Sequence, residues 1–256
     1  MRRRVPSPYL ALTALCFAAG SCNLDNAGDA PPTGILYFPS AVGLSLQEGT
    51  RAARYLYVAN ANFDLRYNAG SLQAYDLDVL DGILSGTATA PGCEAPGTDC
   101  VLSPTAVSDD NGTEASLLAD EVLIPSFVSD LSVSPSGERI YVVTRNDANL
   151  TYVDVDESET GPGLLSCSPS SERRCDEAHS RGDDSVPNAR KLRFPGEPVA
   201  IVSGDAANLV APSGTALSGD FVMVAHREGE TSLFLEQTSG SQAGPVLVDV
   251  LAGLPQ

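Results

Sequence analysis

Tryptophan is absent from this 256-residue chain, and it holds only two methionines and two histidines, His179 and His226. Basic residues are scarce, 15 Lys and Arg against 33 Asp and Glu, for a formal net charge of -18. No basic stripe appears, so the chain offers nucleic acid no electrostatic footprint and no nucleic-acid partner is expected. The acidic excess promotes solubility and repels anionic partners. There is no H-E-x-x-H, no G-x-S-x-G, no P-loop and no C-x-x-C-H. With two histidines there is little from which to build a catalytic constellation; no catalytic residue, no metal ligands and no cofactor are expected. Helical periodicity is also missing. Apart from a weak segment at 117–122, no window of about 12 residues repeats its apolar positions at 3.6.

What is present alternates with the period of a half-buried strand. Strand-like runs fall at 35–38, 55–59, 72–77, 128–133, 139–144, 151–155, 199–203, 221–225, 232–235 and 246–251, punctuated by Gly, Pro, Asn and Asp. Short strands between turns, without helical crossovers, indicate an all-β domain. The clearest stretch is 131–156, LSVSPSGERIYVVTRNDANLTYVDVD. Ser134-Pro135-Ser136-Gly137 supplies a turn between its first two strands and residues 146–149 a second turn.

The strands recur in a fixed order. One family is Phe38-Pro39-Ser40, Ile124-Pro125-Ser126 and Phe194-Pro195-Gly196. A second begins at Tyr55, Arg139 and Phe221 and ends at Asn60, Thr144 and His226; a third starts at Leu72, Leu150 and Ser232. Tyr57, Tyr141 and Met223 are spaced by 84 and 82 residues, a near-constant period that marks stacked or radial repeats. The period is long for a single blade of about 40–50 residues. The surplus lies at 81–119 and 157–190, which read as insertions; two blades per period is the alternative. Leu254-Pro255 matches the start of a further repeat.

The stretch 131–156 resembles the YVTN-type β-propeller repeat. Ser134, Pro135, Gly137, Ile140, Tyr141, Val142, Thr144, Val153 and Asp154 occupy its places; Ser136 replaces the usual acid, Val143 is an extra residue and Arg145 stands where Asn is common. The resemblance implies an all-β fold of β-propeller-like repeats of antiparallel sheets. An incomplete propeller of about three repeats with long insertions is expected, the repeats lying near 34–119, 120–190 and 191–253. It also implies a binding or scaffolding protein without catalysis; the alternative is a propeller hydrolase of the lactonase type.

The N-terminus opens on Arg2-Arg3-Arg4, followed by an apolar run at 9–19, too short to cross a bilayer. It ends in Ala19-Gly20-Ser21-Cys22, which resembles a bacterial lipobox with Ala19 where Leu is usual. A signal peptide at 1–21, a lipidated Cys22 and a flexible tether over 22–33 follow from that resemblance. Two or more acyl chains give stable attachment, so the membrane is an expected partner and the location is the bacterial cell envelope, in the outer membrane or facing the periplasm. Cys93 and Cys100, and Cys167 and Cys175, sit one pair per insertion. In an exported chain they read as disulfides, since spacers of six and seven residues are long for zinc; four cysteines leave three pairings open. The insertions are the expected surface for a protein or small-molecule partner. His226 reads as a strand-end residue bonding a turn, the Asp-x-Asp pairs at Asp76 and Asp154 as turn caps, and Arg181-Gly182-Asp183 as a chance match to an adhesion tripeptide.

Overall fold

The computed structural model describes residues 28–46, 53–89, 107–109, 114–145, 149–158, 163–167, 173–183, 188–210, 214, 218–237 and 244–252. The expected signal peptide, Cys22, Cys93, Cys100 and residues 146–148 of the expected turn lie outside them.

Three antiparallel sheets follow one another along the chain. The first is built from β1 (Pro39–Leu44), β2 (Tyr55–Asn60) and β3 (Gly70–Asp76). Helix α1 (Leu77–Ser85) and a small sheet of β4 (Ala88–Thr89), β5 (Val107–Asp109) and β6 (Glu114–Ala115) are then inserted before the fourth strand, β7 (Leu118–Ile124). The second runs β8 (Val128–Val133), β9 (Arg139–Thr144) and β10 (Asn149–Val155); its outer edge is shared by β11 (Leu165–Ser166) and β12 (Ser180–Gly182), which pair with opposite ends of β10. The third is β13 (Pro198–Asp205), β14 (Asp220–His226), β15 (Thr231–Gln237) and β16 (Gly244–Leu251). The first and third are four-stranded and the second carries two short strands, β11 and β12, at its outer edge; all three are antiparallel meanders, the topology of a propeller blade, and the long period is one blade plus insertions rather than two blades.

The blades stack side by side, with β8 between β1 and β13. Alternation along β9 makes the second blade central. Ile140 and Val142 point toward the first blade and pack with Tyr55, Tyr57 and Leu72; Tyr141 and Val143 point toward the third and pack with Val222, Val224 and Phe234. A central strand buried on both faces loses the polar alternation of a half-exposed one, which is why IYVV reads as a continuous apolar run. Where β1 meets β8 the backbones come so close that a Cβ on Gly43 would lie 2.7 Å from Leu131 Cδ1.

Several expected boundaries move. The blade junction lies between Ile124 and Val128 rather than at 119/120, because β7 pairs with β3. Its sequence hides a strand: Asp120, on the buried face with Val122 and Ile124, interrupts the apolar alternation. It is accommodated there by Arg173 Nη1 at 2.6 Å and by the Leu165 N–H at 2.8 Å. The run 35–38 is a loop and the strand begins at Pro39. Helix α1 replaces the start of the first expected insertion. Asp76 caps it, accepting from the N–H groups of Asp78 and Val79; Gly86 closes it in the left-handed region at φ 76°. The expected turn at Ser134 forms, with Gly137 at φ 77° donating to the Ser134 carbonyl.

Candidate binding face

The register places the starts of the first strands and the turns between the second and third at one end of every blade. There the three blades repeat one corner. Phe38, Phe127 and Glu197 have φ of 52°, 63° and 48°. Each precedes the first residue of an inner strand. The pairing then skips one residue, between Pro39 and Ala41, Val128 and Asp130, and Pro198 and Ala200. The carbonyls of Phe38, Phe127 and Glu197 accept from the N–H groups of Ala61, Arg145 and Arg227 at 2.9, 3.0 and 3.1 Å. Left-handed backbone at a non-glycine residue is costly; the bulge and this hydrogen bond hold it in place three times over. The true first family is therefore Phe38-Pro39-Ser40, Phe127-Val128-Ser129 and Glu197-Pro198-Val199. The Pro125 and Pro195 matches sit three residues too early. The second family aligns as expected, Asn60 with Thr144 with His226. In the third family the last member begins at Thr231 rather than Ser232, since Thr231 pairs with Ala225 as Leu150 does with Val143.

The corner residues of the first two blades make an aromatic cluster with Phe63. Phe38 and Phe63 meet edge to face at 6.5 Å, and Phe63 and Phe127 at 5.9 Å. The loop that carries Phe63 is pinned from below by the buried Asn62. Its Nδ2 donates to the Tyr67 carbonyl at 2.7 Å and to Ser126 Oγ at 3.0 Å, and its Oδ1 accepts from the Tyr67 N–H. Phe38 and Phe63 are 49% and 41% exposed, and their neighbours Leu36 and Leu65 50% and 60%. Large apolar side chains held out on a braced loop make a surface suited to burial by a partner. On the third blade the same corner is charged. Glu197 pairs with Arg227 at 2.8 Å, and that guanidinium holds its carboxyl below the usual range.

Under the corner, Asn60 and His226 do one job. Asn60 Oδ1 accepts from the Tyr37 N–H, and its Nδ2 donates to Ser71 Oγ at 3.1 Å. His226 bonds the Gly196 carbonyl at 3.3 Å and Ser232 Oγ at 2.9 Å, with Phe194 edge-on at 4.7 Å. Both tie the entry loop to the third strand, as the strand-end reading anticipates. Burial pushes the His226 pKa down, against smaller raising effects of the Gly196 carbonyl and nearby Glu230. His179 lies elsewhere, at the outer edge of the second blade, between Asp154 (3.2 Å) and Asp176 (3.0 Å) and against the Tyr152 ring at 4.9 Å.

Cys167 and Cys175 form a disulfide, an eight-residue closure contributing about 2–3 kcal/mol by chain entropy. It sets the Arg173–Cys175 segment against β7, where the Arg173 carbonyl accepts from Leu123 N–H and Cys175 N–H donates to the Leu123 carbonyl. A cleft of about 390 Å³ lies beside it, between residues 30–33, β7 and Arg173; Asp120 in its wall is bound to Arg173, and Glu121 to Gly34 and Gln73. The described part of the insertion after β3 leaves from the opposite end of the blade to the aromatic cluster. Asp76 and Asp156 cap as expected, Asp156 accepting from Ser158, whereas Asp154 pairs with Arg139 and His179. Arg181 of the tripeptide match is 8% exposed and donates to the Ala178 and Ser180 carbonyls and to Tyr152 Oη. Among the described residues no group of three or more His, Cys, Asp or Glu is placed to hold a metal ion, and no helix is long and apolar enough to cross a membrane. The aromatic cluster escaped sequence reading, since Phe38, Phe63 and Phe127 share no spacing; only the corner geometry unites them.

No protein-family model matches the chain, and no curated protein matches it. Solved structures do. Kuenenia stuttgartiensis hydrazine synthase is 11% identical over 86% of this chain and 39% of its own, with a TM-score of 0.38. The periplasmic gluconolactonase of Pseudomonas aeruginosa is 11% identical over 87% of this chain and 44% of its own, at 0.41. Kluyveromyces lactis Hsv2 is 11% identical over 83% and 61%, at 0.31. The chain spans between about two fifths and three fifths of the length of these proteins.

Proposed function

We propose that this chain is an exported, lipid-anchored binding or scaffolding protein of the bacterial cell envelope, which captures an apolar partner at the entry end of its blades. The observation that carries the reading is the exposed Phe38–Phe63 cluster on a braced loop. The turns after β2 and before β8 thereby join the insertions 81–119 and 157–190 as proposed recognition surface. The disulfide supports an oxidising, extracytoplasmic setting, and Cys22 after a short apolar segment supports a lipid anchor. A photoreactive phenylalanine analogue at position 63, in cells, crosslinks to a discrete partner, and the same analogue at Leu84, which is exposed on α1, does not. Equal labelling from both positions, or none from 63, contradicts the assignment. Incorporation of labelled fatty acid into the wild-type chain and its loss in Cys22→Ser tests the anchor. Turnover of a lactone by the purified chain would replace binding with the lactonase-type alternative.

A further inference from the structure

The segment that leads from the proposed anchor into the first blade is fastened to the loop between β2 and β3, the loop that bears Phe63 and Leu65. Asn68 of that loop donates from Nδ2 to the Gly28 carbonyl at 3.1 Å, and from its N–H to the Asp29 carbonyl at 2.9 Å. Arg174, inside the disulfide-closed segment, donates to Asn68 Oδ1 at 2.7 Å. Cys22 lies six residues before Gly28, and an extended chain of that length spans at most about 20 Å. A lipidated Cys22 sits at the level of the headgroups, so this loop is leashed within that distance of the bilayer.

Charge differs between the two ends of the blades. At the entry end of the first two blades, the described connections and the entry segment carry Asp29, Asp64, Arg66 and Arg145, which cancel. Residues 30–47 hold no charged side chain at all. At the opposite end, among the described residues, Arg54 is outnumbered by Asp76, Asp78, Asp81, Glu138, Asp156 and Glu157. The end beside the leash is thus the neutral one, which headgroups do not repel. It is also the end that holds Leu36, Phe38, Phe63 and Leu65 out to solvent. Blades pack through their sides, as β8 does between β1 and β13, and the loops at a blade's end take no part in such packing.

We infer that the apolar partner of the aromatic corner is the bilayer surface itself. The inference rests on the lipid anchor and the binding face proposed above. Phe63 and Leu65, with Phe38 and Leu36, enter the boundary between headgroups and acyl chains, to a depth of about 5–10 Å. Asp64 and Arg66, which flank Leu65 and are joined by the Asp64 Oδ1 bond to the Arg66 N–H, stay among zwitterionic headgroups. The acidic end points to water and presents α1 and the insertion after β3 to soluble partners.

The absence of tryptophan supplies the test. Phe63→Trp places the chain's one indole at the corner; Leu84→Trp places it on α1 at the opposite end, at a position 73% exposed. Each chain is purified from cell membranes and reconstituted in vesicles of phosphatidylcholine brominated on its acyl chains. Emission of Phe63→Trp shifts to the blue and is quenched at least about twofold, as that depth requires, while Leu84→Trp is unchanged. Adding Leu65→Asp to Phe63→Trp removes most of the quenching, because a carboxylate resists transfer out of water. Leu65→Trp serves in place of a Phe63 variant that fails to fold. On a chain that incorporates labelled fatty acid, equal quenching at the two positions, or none at 63, overturns the inference and leaves the anchor standing. A chain that takes up no fatty acid overturns the anchor; quenching at 63 in that chain still supports membrane contact, and its absence overturns both. In cells, the photoadduct formed from position 63 is phospholipid. A protein adduct there gives the corner to a protein, which overturns the inference and leaves the binding reading in place.

Discussion

The two joins between blades have the same topology and are held by different chemistry. Between the first and second blades the inner strands meet through apolar contact, Gly43 against Leu131 and Val133, and seventeen buried apolar side chains form the core behind them. Between the second and third, the inner strands are stitched by hydrogen bonds. Ser129 Oγ donates to the Pro198 carbonyl at 2.7 Å. Ile201 N–H donates to Asp130 Oδ2 at 3.0 Å, and Ser203 bonds both Ser132 and the Val133 carbonyl. Among the described residues, ten buried apolar side chains lie behind that join. Farther out, Arg139 bridges Asp154 of its own blade and Glu236 of the third, and Tyr141 Oη donates to Glu236 at 2.9 Å. Apolar burial contributes stability in proportion to area, whereas a hydrogen bond exchanged with water contributes about 1 kcal/mol net. The first join is therefore the stronger, and the second, which includes the Arg139–Glu236 ion pair, is the more sensitive to salt.

The largest effect expected from a single change is in the first join. Tyr57→Ala empties a fully buried position at its centre and costs about 3–5 kcal/mol, read as a lower denaturation midpoint for the first two blades together. Arg139→Met breaks the second join instead. It leaves Glu236, whose side chain is 8% exposed, without its cation, and costs about 3 kcal/mol. Here the loss appears as early exposure of the third blade, with the first two still folded. If both variants unfold all three blades in one step, the joins are not energetically distinct.

The smallest effect is the most specific. Burial alone would depress the His179 pKa, but Asp154 and Asp176, hydrogen-bonded to its two ring nitrogens, outweigh burial and raise it above its ordinary value of 6.5. Stability from this contact is complete below about 6.5 and disappears as the pH climbs through the raised value. For Asp154, burial pushes the pKa up and is outweighed by His179 and Arg139, which lower it; its contribution is present above its ordinary value of 3.8 and is lost as the pH falls. The outer edge of the second blade is thus most stable from about pH 4 to 6.5. His179→Gln should remove roughly 0.5–1 kcal/mol at pH 6 and nothing at pH 9. An equal loss at both values would assign His179 a packing role only.

Legibility in the sequence followed burial. The second strands, Tyr55, Arg139 and Phe221 onward, align as the sequence indicates because apolar residues occupy both of their faces. The first strands do not, because their start is fixed by a left-handed corner that Phe, Phe and Glu all adopt, and the Pro residues nearby belong to the loops before it. Helix α1 carried readable signals, Asp76 before it, Leu77, Leu80 and Ile83 on one side and Gly86 after it, but lay in what reads as an insertion. Strand β7 hid behind Asp120, whose burial depends on Arg173, 53 residues away. The aromatic corner was least legible of all, since Phe38, Phe63 and Phe127 meet only through the stacking of blades.

The most direct test of unequal joins is hydrogen exchange of the intact chain, with protection factors compared strand by strand in low and high salt. Protection in β13–β16 should fall at the higher salt, while β2, β3 and β9 remain at the level of global unfolding. Protection that falls by the same factor in all three blades would contradict the account.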